Sequence, residues 1–176
     1  IELERNHSYP IWKPSIESTI KENDLYSPFV IQNGLILNAQ SKIDFYRYND
    51  YNFQNLFTFK VGPQLTLGNF RNKLLDYTQI SIYPKFTLAN GNSPFDFDQA
   101  VDNHGIELKF NQQIIGPLLA QISSEYSLDS NSTKYKKFFN TNYELSWNRR
   151  AYNLGIYYSL DGKVGGIRFN IFNFNF

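Results

Sequence analysis

Apolar and polar residues alternate along most of this chain, most clearly in its second half. Tyr152, Leu154, Ile156, Tyr158 and Leu160 alternate with Asn153, Gly155, Tyr157 and Ser159. Tyr143, Leu145 and Trp147 oppose Asn142, Glu144 and Ser146. Ile106, Leu108 and Phe110 form one stripe, and Leu118, Ala120, Ile122, Ser124, Tyr126 and Leu128 form another. Successive side chains leave a strand on opposite faces, so a period of two predicts strands with one apolar and one polar face.

The first half repeats the pattern with interruptions. Phe57, Phe59 and Val61 alternate with Thr58 and Lys60, Gly62-Pro63 breaks in, and Leu65 and Leu67 resume. Proline cannot donate to a ladder, so Pro63 is expected at a bulge or an exposed edge. Leu35, Leu37 and Ala39 open a stripe that Ile43 and Phe45 continue, with Asn33-Gly34 read as a hairpin turn before it. Ile80, Ile82, Phe86 and Leu88 predict one long strand or a strand pair. Residues 15–23, with Ile16 and Ile20 at helical spacing, are read as strand in this all-β company. Ile115-Gly116-Pro117, Asn148-Arg149-Arg150 and Asp161-Gly162-Lys163 are compact turns, whereas 90–103 and 129–137 are long loops.

The chain closes on Val164–Phe176, where Ile167, Phe169 and Ile171 give way to Phe172, Phe174 and Phe176. The phase slips by one residue between Ile171 and Phe172. Such a slip turns every following side chain to the other face unless a bulge absorbs it. Unprotected, this run would be an aggregating edge strand. A closed barrel removes the edge, and a membrane accommodates the phenylalanines. Outer-membrane barrels commonly end in Phe, which the insertion machinery reads, so Phe172, Phe174 and Phe176 form a candidate insertion signal.

Composition sharpens this picture. Aromatics make up 18% of 176 residues, with 16 Phe, 13 Tyr and 2 Trp. Mean hydropathy is nonetheless −0.46, and no apolar run reaches the roughly 18 residues of a membrane helix. A transmembrane barrel satisfies both, because only alternate residues face lipid. The predicted fold is an all-β antiparallel meander of about 8–10 strands, the C-terminal part of an outer-membrane β-barrel. Excised from a larger barrel, it would be an open curved sheet with two free edges. Residues 1–176 read as a single segment. With no methionine and no leader pattern at Ile1, a portion of a longer chain is expected.

Candidate chemistry is sparse. The net charge of +1 supplies no field for nucleic acid. With no cysteine, thiolate chemistry and disulfides are excluded. His7 and His104 lack partners at metal-ligand spacing, and no cofactor is expected. Asp102 beside His104 is the one pair resembling an acid–base dyad, without a nucleophile elbow. Asp96 and Asp98 share one face of an extended segment, where carboxylates more often hold a turn than a cation. Arg149 and Arg150 are candidates for lipid-headgroup contact. The chain is therefore expected not to be an enzyme.

Several short motifs together carry a resemblance. They are Gly62-Pro63-Gln64-Leu65, Leu75-Asp76-Tyr77-Thr78, Gly91-Asn92-Ser93-Pro94-Phe95-Asp96-Phe97-Asp98, Gln113-Ile114-Ile115-Gly116-Pro117-Leu118, Asn148-Arg149-Arg150 and Phe172-Asn173-Phe174. In order and spacing, over residues 60–176, they resemble the C-terminal part of a cyanobacterial outer-membrane family. That family is regarded as the counterpart of the lipopolysaccharide-assembly barrel LptD (organic solvent tolerance protein). The resemblance implies a longer parent with a signal sequence, a periplasmic jellyroll-like region and a many-stranded barrel. It implies delivery of lipopolysaccharide to the outer leaflet through a non-catalytic conduit with a lateral gate between the barrel's first and last strands. The implied partners are lipopolysaccharide, outer-membrane lipid, the barrel-insertion machinery, the remaining strands of the parent barrel, a plug lipoprotein and periplasmic bridge proteins. Two alternatives stand beside it: a small outer-membrane barrel enzyme, and a soluble lipocalin-like binding module.

Overall fold

In the computed structural model the described residues are 2–14, 31–48, 52–68, 74–94, 102–149 and 151–171. They form a nine-stranded sheet in which spatial order equals chain order. The strands are β1 (Glu2–Trp12), β2 (Gly34–Arg47), β3 (Phe53–Gly68), β4 (Tyr77–Gly91), β5 (His104–Ile115), β6 (Leu118–Ser127), β7 (Phe138–Asn148), β8 (Tyr152–Ser159) and β9 (Val164–Ile171). Every neighbouring pair is antiparallel. The sheet is open among the described residues, with β1 and β9 as its edges. The all-β meander expected from the alternation is therefore present.

Two rims follow from the strand directions. One carries the connections 48–52, 92–103, 128–137 and 160–163; the other carries 13–33, 69–76, 116–117 and 149–151. At the second rim Gly116 has φ +53° and is followed by Pro117. A two-residue hairpin needs positive φ at its first position, and proline excludes it at the second, so the turn is of the II′ kind.

The sheet is slanted, not rectangular. One continuous row of cross-strand partners runs Trp12, Leu35, Leu65, Ile80, Phe110, Ile122, Tyr143, Tyr158, Gly165. It starts at the last residue of β1 and ends beside the first residue of β9. Such a stagger is the shear that lets a tilted sheet curl into a barrel.

Two local expectations are corrected, and β7 shows a reversal of face. Asn33-Gly34 makes no hairpin: Gly34 opens β2, and the Asn33 side chain exchanges two hydrogen bonds with the backbone of Gly68, at 2.8 and 2.6 Å. Pro63 sits at neither a bulge nor an edge. It lies inside β3, where pairing with β4 lapses between Lys60↔Lys85 and Gln64↔Ser81 and resumes in the same register. Gly62 permits the close approach there, since a Cβ would stand 1.9 Å from the Ile82 carbonyl oxygen. Phe139 does not share a face with Tyr143. A bulge between Ser123 and Glu125 on β6 and the β7 residues 139–142, with Asn140 at φ +50°, turns Phe139 to the opposite side. Residues 15–23 and the Ile171–Phe172 slip lie outside the described residues.

Candidate functional site: a polar face backed by an apolar one

Register assigns every strand residue to one of two faces. One face carries Leu37, Val61, Leu65, Ile80, Leu108, Ile122, Leu145, Ile156 and Ile167, with Phe59, Phe110 and Tyr143 among them at mid-strand. Aromatic contacts gather nearer the rims: Tyr126 with Phe138 at 5.0 Å, Phe86 with His104 at 5.1 Å, and Tyr152 with Phe169 at 6.2 Å between ring centroids. This face is exposed, with Ile156 62% and Ile167 74% accessible. Arg5 and His7 are its polar exceptions in the middle of β1, opposite Ser41 and Ala39.

The other face is polar and better buried. Gln54, Thr66, Ser81, Thr87, Glu107, Gln113, Ser127 and Ser146 are buried, while the only buried large apolar side chains among the described residues are Leu119 and Phe139. Both of these also lie on the polar side. This inverts the usual distribution of a water-soluble domain, in which apolar side chains fill the interior.

The polar side chains are joined across strands. A second slanted row runs Gly34, Thr66, Gln79, Asn111, Gln121, Glu144, Tyr157, Gly166. Within it, Gln79 Nε2 donates to Thr66 Oγ1 at 3.1 Å, Asn111 Nδ2 to Gln79 Oε1 at 2.7 Å, and Gln121 Nε2 to Asn111 Oδ1 at 3.2 Å. Gln79 and Asn111 each donate and accept, so one four-strand ladder satisfies groups that would otherwise be costly to bury. Nearby, Asn38 Nδ2 donates to Gln64 Oε1 and to the Tyr83 hydroxyl, both at 3.0 Å.

Most charges on this face are paired, and Glu4 accepts hydrogen bonds from Asn6 and Gln40. Glu107 accepts from Lys60 and from Lys109, each at 2.7 Å. Lys85 bonds Glu125, Arg168 bonds Glu144 at 2.9 Å, and Lys42 bridges Glu2 and Asp44 at 3.2 and 3.1 Å. Two recesses indent the face. One, of about 220 Å³, lies among Asn38, Gln40, Lys60, Tyr83, Glu107 and Lys109. The other, of about 340 Å³, lies among Lys109, Asn111, Gln121, Asn142, Tyr157 and Arg168. Lys109 is the wall between them. The surface offers amides, hydroxyls, aromatic rings and neutralised charge pairs, which suits polar, hydroxyl-rich solutes and water.

The residues singled out in sequence fall as follows. Arg149 stands at the short-turn rim, its guanidinium 5.4 Å from the Trp147 ring centre, and its N–H donates to the Tyr152 carbonyl at 2.8 Å. Arg150, Phe172, Phe174, Phe176, Asp96 and Asp98 lie outside the described residues. Asp102 and His104 are not brought together. Asp102 Oδ1 accepts from the Ser127 hydroxyl at 3.1 Å, and Asp102 Oδ2 is buried with no partner, as is Ser146 Oγ. Ser127 pairs with Gly105 on the polar side, while His104 stacks on Phe86 on the apolar one. Among the described residues no three His, Asp or Glu side chains gather as a metal cluster. The sequence reading missed the amide ladder and the Lys60–Glu107–Lys109 bridge. Alternation names a residue's face; only strand register names its partner.

The long-loop rim is tied together by Asp129. Its Oδ2 accepts from the Asn103 N–H and its Oδ1 from the Asn131 N–H, both at 2.9 Å. These two backbone donors hold its carboxyl below the usual carboxylate range.

The fold and its two faces define a class: an all-β chain built as one antiparallel meander, polar on one side and apolar on the other. Within that class, the chain belongs to DUF3769, a protein family of unknown function whose model matches residues 2–175. No curated protein and no solved structure matches it.

Proposed function

We propose that this chain is a wall segment of an outer-membrane β-barrel, with its polar face to the lumen and its apolar face to lipid. The observation that carries the reading is the inverted burial: an exposed belt of Leu, Ile, Phe and Trp behind a buried, hydrogen-bonded polar face. Strand lengths agree, since β5, β6 and β7 have 12, 10 and 11 residues and a tilted strand crosses a bilayer in about 9–11. The apolar face mixes aliphatic and aromatic side chains, as the lipid-facing side of a membrane barrel does. The compact turns 116–117 and 149–151 share a rim with the end of β9, and the longer connections 13–33 and 69–76 join the same rim.

The cargo follows from the motif resemblance described above, in which an LptD-like barrel delivers lipopolysaccharide to the outer leaflet. A hydroxyl-rich glycan is compatible with the amides and tyrosines of the polar face. The barrel acts as a non-catalytic conduit, working with the insertion machinery and the strands that complete it. A soluble lipocalin-like module is disfavoured because it would turn Leu145, Ile156 and Ile167 inward. A Ser–His enzyme is disfavoured because Ser127 and His104 lie on opposite faces.

The reading is tested by extraction and by depletion. The protein should stay with membranes through alkaline carbonate and urea, and depleting it should lower lipopolysaccharide at the cell surface. A folded monomer in detergent-free buffer would sink the membrane reading. Unchanged surface lipopolysaccharide on depletion would sink the cargo.

A further inference from the structure

The polar face is electrostatically closed. Its cations among the described strand residues are Lys42, Lys60, Lys85, Lys109 and Arg168, and each touches a carboxylate of the same face. Glu4 is the acid there with no cation in contact, and it holds two amides instead. An anion entering this face meets no spare positive charge. To find one it would have to part a bonded pair and strand the acid.

Uncharged hydrogen-bonding groups are left open, and they gather in the larger recess, of about 340 Å³. That volume reaches the range of small-molecule sites, about 300–1,000 Å³, and the recess of about 220 Å³ does not. The amide ladder ends at the larger one. Gln121 donates to Asn111 at 3.2 Å, and its own carbonyl accepts from no group among the described residues. On the next strand Asn142 spends an N–H on the Asn140 carbonyl at 2.9 Å and likewise keeps its side-chain carbonyl.

One wall of this recess is aromatic. Tyr157 stands directly opposite Gly166, where a Cβ would lie 2.7 Å from the phenol oxygen and 2.8 Å from the carbon that bears it. Glycine therefore lets the ring lie over β9. Arg168 flanks the ring at 5.4 Å from its centre and is held there by Glu144 at 2.9 Å. An aromatic face carries partial negative charge and attracts the C–H groups of a sugar ring. Amide carbonyls beside it take up the protons of the sugar's hydroxyls.

We propose that this recess seats one pyranose unit of an uncharged saccharide chain, with Tyr157 as the platform and Gln121 and Asn142 as hydroxyl acceptors. The proposal rests on the lumenal reading of the polar face. It adds what that reading leaves open: where a sugar is held, and that the sugar is neutral instead of phosphorylated or carboxylated.

The whole protein is extracted in an amine-oxide detergent, so that no detergent sugar competes, and titrated with maltohexaose, mannohexaose and hexagalacturonate. At least one neutral chain should bind about tenfold or more tighter than the anionic one. Binding of neither neutral chain would overturn the proposal, and so would hexagalacturonate binding as tightly as they do. A free oligosaccharide and the glycan of a lipopolysaccharide share this chemistry. Titration with the polysaccharide released from the cell's own lipopolysaccharide separates them. Tighter binding than the hexasaccharides assigns the seat to the lipid-borne chain, and weaker binding assigns it to free oligosaccharides.

Tyr157→Ala should weaken the neutral chain about tenfold, and unchanged affinity in the folded variant would overturn the proposal. If that variant does not fold, Gln121→Arg carries the test. It sets a second cation opposite Glu144 without a second acid, so affinity for hexagalacturonate should rise about tenfold while the neutral chain weakens. No gain for the anion would overturn the closed-charge argument. Failure of the barrel reading would look different, as release of the protein from membranes by carbonate and urea. Failure of the seat would leave a membrane-retained protein that binds no neutral sugar.

Discussion

Lys60 and Glu107 meet at 2.7 Å across an intervening strand. Lys60 lies on β3, Glu107 on β5, and β4 passes between them. Lys109 holds the other carboxylate oxygen at 2.7 Å, so one buried acid anchors two cations. Removing the acid strands both lysines, whereas removing one lysine leaves the acid paired. Glu107→Ala is expected to lower unfolding stability in micelles or vesicles by about 2–3 kcal/mol, and Lys60→Ala by about 1 kcal/mol. Equal losses would contradict the shared-anchor arrangement. Denaturant titration of both variants and their double mutant gives the coupling.

The apolar face should reject charge and the polar face should tolerate it. Leu145 sits mid-strand between Ala120 and Ile156. Leu145→Arg is expected to cost about 2–4 kcal/mol of stability in a bilayer, the penalty for a cation at mid-depth. Gln121→Arg, on the other side of the same wall, should cost less than about 1 kcal/mol. Reversible unfolding into urea from vesicles measures both, and the opposite ranking would mean the faces are assigned backwards.

Arg5 is the exception that tests the rule. It lies fourth in β1, on the apolar side, opposite Ser41. If lipid covers that position, Arg5→Leu should stabilise the folded barrel by about 2 kcal/mol. A loss of stability instead would mean that the arginine is held by protein.

Adjacent phenylalanines should behave differently. Phe139 is 3% accessible and Phe138 is 61% accessible, and Lys134 Nζ lies 4.7 Å from the Phe139 ring centre. Phe139→Ala is expected to cost about 3 kcal/mol through the cavity it leaves. Phe138→Ala should leave the loop intact and weaken only bilayer affinity, which vesicle flotation would register.

Asp129 gives the long-loop rim a dependence on acid. Its folded pKa lies below the usual value, because two backbone N–H groups favour the charged form. A group with a depressed folded pKa contributes stability that is present above its unfolded value, about 3.9, and lost as pH falls through its folded value. The amides of Asn103 and Asn131 should therefore lose protection, measured against their intrinsic exchange rate at each pH, below about pH 4, with little change in protection between pH 5 and 8. Asp129→Asn should remove that dependence while leaving β4 and β5 protected.

Much of the sheet was legible because a two-faced strand writes its geometry into every second residue. The stripes of β5, β6 and β8 and the turns at Gly116-Pro117 and Asp161-Gly162-Lys163 needed only local chemistry. What stayed hidden was non-local. Asn33 looks like a hairpin residue until Gly68 is brought beside it. Pro63 looks like an edge residue because the lapse it causes is covered by resumed pairing on both sides. Phe139 follows the stripe of Tyr143 until the bulge at Asn140 reverses it, and nothing in the local spacing announces the bulge. The amide ladder is hidden for the same reason: Thr66, Gln79, Asn111 and Gln121 are scattered in sequence and become neighbours only through register.

The slanted rows give the wall a handed pitch. The row from Gly34 through Gln79 and Gln121 to Gly166 leaves the short-turn rim at β2 and arrives at the long-loop rim at β9. In a curled sheet that row is an arc of a screw thread. A solute exchanging hydrogen bonds from one amide to the next would rise along the membrane normal as it moved sideways around the wall. Ascent and rotation would be geared together, with the gear ratio set by the stagger between strands.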